Sequence, residues 1–316
     1  MTARDPAFVA GLRSAVRGAV RAEEPLARHT TYRIGGPATL FQPADAEDVA
    51  TATRYANRAG VPWFALGLGS NVLLPDEGLD ALVIRIGKGL DAIRSSGESW
   101  NLGAGLPAPI AARRTAAAGW GGLHMMVGVP GTVGGGVFMN AGCHGGQWSD
   151  VVREVTVVDA GGESRVIPGA QIPFRYRSSG LRGLLVLETR VELRPAEAGE
   201  LEEEVARLFA WRQKGTPFNQ PCCGSVFTNP AWPASTPAAD RRTAGQLIEA
   251  AGFKGRRVDG VEVSPMHANY FVNTGGGTAA AVRRLIAEVQ AEVSRRFGVE
   301  LEPEVKLITP GGRVGG

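Results

Sequence analysis

Two glycine-rich stretches carry the first chemical signal in this chain: LGLGSN, Leu66 to Asn71, and GVPGTVGGGVFMNAG, Gly128 to Gly142. Glycine removes the side chain, so a ligand can approach the backbone closely and φ can turn positive at little steric cost. Successive backbone N–H groups in such loops form concavities that take anions. Two of them at separate points suggest a long ligand with a phosphate bridge, held along its length. Neither stretch matches G-x-G-x-x-G or G-x-x-x-x-G-K-[ST]. That argues against an ordinary Rossmann site or P-loop and for a different nucleotide-cofactor fold.

Four further segments bring reactive side chains into largely apolar surroundings. FRYRSSG, Phe174 to Gly180, sets two arginines and a tyrosine beside a turn. Arg177 could hold a carboxylate or stabilise an enolate through its fixed fork of donors, or the turn could be a solvated surface feature. CCGSVFTNP, Cys222 to Pro230, presents Ser225 at an expected strand start, where its hydroxyl could donate a proton or cap a backbone group. It lacks the G-x-S-x-G elbow, which disfavours a serine nucleophile. LEPEVKLI, Leu301 to Ile308, reads as a terminal strand with Glu304 between apolar neighbours, a carboxylate either paired structurally or used as an acid or electrostatic group. VSPMHANYFVN, Val263 to Asn273, carries His267, Asn269, Tyr270 and Asn273, and is either a substrate-binding strand or a core strand with satisfied polar groups.

The elements that must position these residues are legible from periodicity. Phe8, Leu12, Val16 and Val20 recur at helical spacing. Asp45 reads as an N-cap for a helix lined by Val49, Ala52, Ala56 and Ala59. VPWFAL is a strand running straight into the first glycine stretch, and DALVIRI is another. A helix is expected from Pro107 to Ala118, and VREVTVVD with SRVI makes a hairpin. GLLVLETRVEL is a strand. Leu201, Val205, Leu208 and Phe209 mark a helix, a short one runs from Thr243 to Gly252, and a long one starts near Thr278. Helices and strands mix without a regular βαβ repeat, so the expected class is α+β. The expected organisation is a first region over 1–200, completed by 299–316, and a second domain over 201–298, with PGGRVGG a disordered tail.

Bulk properties exclude several classes. At 316 residues the chain has room for about two domains. A net charge of +3 with no Lys/Arg block does not suggest nucleic acid. Three cysteines, Cys143, Cys222 and Cys223, make no disulfide framework and point to a reducing compartment. Four scattered histidines propose no metal site, and no apolar run is long enough to span a membrane.

Taken in order, HTTYRIGGPA, LGLGSNVLLPDEG, GVPGTVGGGVFMNAG, FRYRSSG, GSVFTNP, AGQLIEAAGFKG, VSPMHANYFVN and LEPEVKLI resemble the UDP-N-acetylenolpyruvoylglucosamine reductase (MurB) family, from about Arg28 to Ile308. The resemblance implies an FAD-binding fold of the vanillyl-alcohol-oxidase type with a smaller α+β substrate domain, and a cytoplasmic enzyme of peptidoglycan precursor synthesis. It implies non-covalent FAD, NADPH as hydride donor, and a UDP-sugar enolpyruvyl ether as substrate, with no obligate protein partner. It puts Gly67, Gly69, Ser70 and Asn71 at the FAD pyrophosphate, and Gly128, Gly131, Thr132, Gly134, Gly135 and Asn140 along the flavin and its phosphates. By the same matching, Arg177 stabilises the enolate, Ser225 donates the proton and Glu304 assists. Tyr176, His267 and Asn269 border the substrate. Thr228 stands where many relatives have lysine, and Lys214-Gly215-Thr216-Pro217 shifts or loses a second one, so Lys214 or Arg212 is left to meet the diphosphate. The short stretch after Ser179 suits the subclass without an extra tyrosine-bearing loop. The competing readings are an FAD oxidase or dehydrogenase of the same superfamily, acting on a hydroxy acid or sugar, and a flavin- or nucleotide-binding protein without turnover.

Overall fold

The computed structural model describes residues 1–314. They form two compact units, one of residues 1–24, 38–68 and 79–212, the other of 25–37, 69–78 and the chain from 213 onward.

In the first unit, Asp5 caps the helix Pro6–Ala15, which buries Phe8, Val9 and Leu12. The helix does not run on to Val20 as its spacing suggests. The amides of Arg17 and Gly18 donate instead to the Asp48 carboxylate, at 2.8 and 2.7 Å. A side acceptor that competes with the next helical carbonyl ends the helix, and Ala19–Pro25 continues as a strand. The strands Pro37–Gln42, Leu82–Arg85 and Trp63–Leu66 lie parallel, in that spatial order. Parallel neighbours need a crossover, and the helix Ala46–Arg58, capped by Asp45, supplies it. One strand–helix–strand crossover is therefore present where the sequence reads as having no regular repeat of them.

Beside this stands a five-stranded antiparallel sheet with the order Ser164–Pro168, Val152–Val158, Leu185–Glu192, Ser99–Gly103, Ile93–Ser96. The expected hairpin is there, with Val155 opposite Ile167. On Leu185–Glu192 the residues Leu185, Leu187 and Val191 are buried, while Glu188, Arg190 and Glu192 face outward. Arg190 donates from Nε and Nη2 to the two Glu154 oxygens across the sheet, at 3.0 and 2.8 Å. The second glycine stretch is more regular than its composition suggests: a 3-10 turn spans His124–Gly128 and a short helix spans Val133–Phe138. Thr132 caps that helix by accepting from the Gly135 amide at 3.2 Å. Leu201, Val205 and Leu208 of the helix Ala198–Gly215 belong to the first core, so this unit extends past the boundary expected near residue 200.

The second unit has its own core, built from Leu247, Val261, Phe271, Val282, Leu285 and Val289 among others. The helix Ala279–Phe297 is capped by Thr278 and closed by Gly298 at φ 65°, the left-handed turn glycine adopts most readily. The expected 263–273 strand is interrupted: Val261–Val263 and Phe271–Asn273 pair antiparallel, and the residues between them turn. Lys306–Leu307 pairs in parallel with Val72–Leu73. Leu301 and Val305 are in this second core, so the C-terminal segment packs here rather than completing the first region. Of the expected disordered tail, Pro310 to Val314 folds back, with the Thr309 amide 2.8 Å from the Arg313 carbonyl and Ile308 bridging Val314. The last two residues lie outside the described ones.

Candidate active site

Each unit carries its own share of the residues marked by the sequence, and the division falls inside the first glycine stretch, between Leu68 and Gly69. In the first unit, Gly67 lies against Thr132. A Cβ at Gly67 would stand 2.7 Å from the Thr132 hydroxyl oxygen, so the two stretches touch through a position that admits no side chain. The glycines that follow divide their work. Gly134 and Gly136 are bare because the protein needs the room: added Cβ atoms would meet Ala104 Cβ at 2.8 Å and Trp148 Nε1 at 2.3 Å. Gly135 is exposed, and its nearest neighbour would be 3.5 Å away. Gly131 has φ 151°. At Gly128 only ordinary contacts, to His144 and Arg212, would meet a Cβ. The result is a backbone-lined cradle with one open glycine face, which suits a flat, phosphate-bearing cofactor.

The FRYRSSG turn is fastened to this cradle. Asn140 donates to the Arg175 carbonyl at 3.1 Å and to Gln147 at 3.3 Å, and accepts from the Ser149 amide at 3.0 Å. Its carboxamide is thus engaged by protein, which makes it a brace for the turn. Ser179 donates to the Phe138 carbonyl at 2.7 Å. Arg177 donates to the Gly142 carbonyl at 3.1 Å, and its guanidinium lies 4.8 Å from the centre of the Tyr176 ring. Tyr176 is 56% exposed, so its ring is open to a ligand, while Arg177 is half-buried beside it. Asn140, His144 and Arg177 all have positive φ, 43°, 53° and 55°. For His144 and Arg177 this costs on the order of 1–2 kcal/mol each, whereas asparagine adopts it more readily, and backbone held this way clusters at functional positions. Burial raises the Cys143 thiol pKa, against the pull of Arg212, and burial with Arg212 lowers that of His144.

In the second unit, the segment holding Ser225 bends on either side of it and is not a strand; among the described residues isolated bridges flank it, Cys222 with Val272 and Phe227 with Pro303. Glu304 joins it: its amide donates to the Val226 carbonyl at 2.8 Å. Asn71, from the first glycine stretch, donates to the Glu304 carbonyl at 3.3 Å and accepts from the Lys306 amide at 3.0 Å. Thr31 completes the cluster, with its amide on the Gly69 carbonyl at 3.2 Å and its hydroxyl on the Cys222 carbonyl at 2.7 Å. Gly69 sits at φ 66°, where a Cβ would come within 2.5 Å of the His29 carbonyl. Gly224, before Ser225, also has positive φ, and Ser70 is its nearest neighbour outside the adjoining chain.

Asn269, expected at the substrate, is 4% exposed. Its side chain accepts from the Phe227 amide at 2.9 Å and donates to the Phe227 carbonyl at 2.8 Å. Its own carbonyl accepts from the Val226 amide. It therefore holds the Ser225 segment, with its amide group spent on backbone. His267 is half-buried and stacks edge-on with Tyr270, ring centres 4.9 Å apart. Sequence reasoning missed Thr31 and the brace roles of Asn140 and Asn269. A threonine in HTTYRIGG carries no signal of its own; the carboxamides were visible as isolated polar groups, but not their backbone partners. Among the described residues no group of three His, Cys, Asp or Glu side chains is placed to hold a metal ion, and no helix is long and apolar enough to cross a membrane.

Comparison with known proteins gives two family matches. Residues 37–167 match the FAD binding domain, and residues 216–308 match the C-terminal domain of UDP-N-acetylenolpyruvoylglucosamine reductase. The chain is 42% identical over 300 residues to the UDP-N-acetylenolpyruvoylglucosamine reductase of Rubrobacter xylanophilus, covering 92% of this chain and 95% of that one. It is 41% identical over 304 residues to that of Heliobacterium modesticaldum, covering 95% and 94%. The crystal structure of UDP-N-acetylenolpyruvylglucosamine reductase (MurB) from Thermus caldophilus superimposes with a TM-score of 0.77 at 30% identity, over 92% of this chain and 99% of that one.

Proposed function

The chain belongs to the UDP-N-acetylenolpyruvoylglucosamine reductase family, and from that premise we propose that it reduces UDP-N-acetylglucosamine enolpyruvate to UDP-N-acetylmuramate with NADPH, working in the cytoplasm. FAD, when bound, supplies the two-electron chemistry that links the two substrates. Gly67, Gly69, Ser70, Asn71, Gly131, Thr132 and Gly135 are the residues we assign to holding it.

Arg177 binds the substrate carboxylate. As the vinyl group is reduced, negative charge spreads from the neighbouring carbon into that carboxylate, and the Arg177 guanidinium stabilises it. Removing one such donor typically slows turnover by about 10²–10³-fold. Ser225 delivers the proton: its O–H bond breaks as the new C–H bond forms, and a proton from solvent restores the hydroxyl. Glu304 steadies the enolic intermediate beside it. Tyr176 and His267 border the substrate, while Asn140 and Asn269 act through the segments that they brace. The observation that carries this reading is the hydrogen-bonded unit of Asn71, Glu304 and the Ser225 segment, since it joins a cofactor loop to two proposed catalytic residues.

Anaerobic stopped-flow absorbance tests the proposal. NADPH should bleach the bound flavin, and the enolpyruvyl substrate should then restore its colour rapidly. Bleaching that persists until oxygen enters would transfer the chain to the oxidase reading. In Ser225→Ala, bleaching by NADPH should be near normal and recovery with substrate at least about 10²-fold slower. Equal slowing of both half-reactions would remove Ser225 from the proton-donor role.

A further inference from the structure

Arg85 is the last residue of the strand Leu82–Arg85, and it pairs in register with Leu66, the last residue of the parallel neighbour. Gly67 follows directly. In open parallel sheets ligands collect beyond the carboxyl ends of the strands, which is where this arginine stands. Leu82, Ile84 and Ile86 belong to the first core, so by strand alternation Arg85 projects from the opposite face. Its Nη1 donates to the Leu66 carbonyl at 3.4 Å, a long bond.

Arg85 also lacks a charge partner. Arg4, Arg17, Arg94, Arg153 and Arg190 each have a carboxylate partner. Arg85 is half-buried, and none of the ion pairs among the described residues includes it. Burial holds its pKa below the usual arginine value, with no acidic group opposing that shift. A guanidinium drawn out of water without a counter-charge is costly. The adjacent carbonyl of Leu66 offers only a dipole, and the glycine stretch that begins at Gly67 follows directly.

We propose that Arg85 is the counter-charge for the pyrophosphate of FAD, held where the parallel strands end at the first glycine stretch. The inference rests on FAD binding in this cradle, and the planar fork of arginine suits a phosphate oxygen pair.

The test is the affinity of the FAD-stripped full-length protein for FAD, read by flavin fluorescence across a series of salt concentrations, with apoprotein melting temperatures alongside. Arg85→Gln keeps a donor for the Leu66 carbonyl but removes the charge. It should raise the Kd about ten-fold, the usual scale of a charge-assisted hydrogen bond, and flatten its salt dependence, while the apoprotein melts at or above the wild-type temperature. Arg85→Lys keeps the charge and should stay within about three-fold of wild type with the salt slope intact. A wild-type Kd and salt slope in Arg85→Gln, or an apoprotein that melts lower yet binds FAD normally, would make Arg85 a strand tie and overturn the proposal. Should Arg85→Gln not fold, Arg85→Lys decides: an unchanged salt slope supports the counter-charge, and a lost slope rejects it. Failure of the wild-type protein itself to rebind FAD would instead remove the cofactor reading on which the inference stands.

Discussion

At the scale of single residues, several polar side chains marked by the sequence are bonded to backbone. Asn269 is the plainest case, because both ends of its carboxamide meet the amide and carbonyl of Phe227, a residue 1% exposed. Asn269→Ala leaves two buried backbone groups unpaired, each worth about 1–3 kcal/mol. A stability loss of at least about 2 kcal/mol in urea unfolding is expected; a loss below about 0.5 kcal/mol would show that water replaces the carboxamide. His144 supplies a pH dependence. Its folded pKa lies below the ordinary histidine value, first through burial and then through Arg212 and Arg207. On acidification the unfolded chain therefore takes up this proton first, near pH 6.5, and the folded state loses stability as pH falls through that value. Asparagine tolerates the positive φ at this position. His144→Asn should accordingly show a smaller drop in melting temperature between pH 7.5 and 5.5 than wild type, although His124, also lowered by burial, keeps part of the slope. An undiminished drop would exclude His144 as a source.

At the scale of elements, the best-read pieces are those with a local cause. Asp45, Thr243 and Thr278 accept from the amides of Asp48, Gln246 and Ala281, at 3.0, 3.2 and 3.1 Å, as their positions before apolar periodic runs imply. Thr278→Ala should cost about 1 kcal/mol, measured by chemical unfolding. The Asp76 carboxylate also accepts from the Ala279 and Ala280 amides, so a smaller loss would mean that it covers for the missing hydroxyl. Pieces without a local cause were misread. Val16 and Val20 continue a helical spacing that Asp48, some thirty residues downstream, interrupts. Ser225 looks like a strand start because Val226 and Phe227 follow it, yet the partners of those two residues are a loop asparagine and the backbone of Glu304. The short helix in the second glycine stretch was invisible because glycine disfavours helix. Contacts with Ala104 and Trp148, and the Thr132 cap, fix that helix in place.

At the scale of the whole molecule, the fold is two cores whose segments alternate along the chain. Binding of FAD to the folded chain alone should stabilise it by about 2.7 kcal/mol at a hundred-fold excess over Kd. Stripping the flavin should lower the melting temperature, and adding it back should restore that temperature with the corresponding concentration dependence. No shift across that range would mean that the cradle does not hold FAD. By itself the sequence determined the family, the mixed α+β class, the two glycine stretches, and the identity of Arg177, Ser225 and Glu304 as the residues to watch. The class and the glycine stretches are properties of residue type and local order, which short-range sterics and spacing dictate; the family and the three residues follow from the resemblance of eight motifs in order. Only the tertiary structure decided which glycines are bare for packing and which for a ligand, and that Asn140 and Asn269 are braces. It alone drew residues 25–37 and 69–78 into the second unit, and only there does Arg85 become an arginine without a carboxylate. The reason is physical: a hydrogen bond or a close approach across two hundred residues depends on where the backbone returns, and no local pattern encodes that.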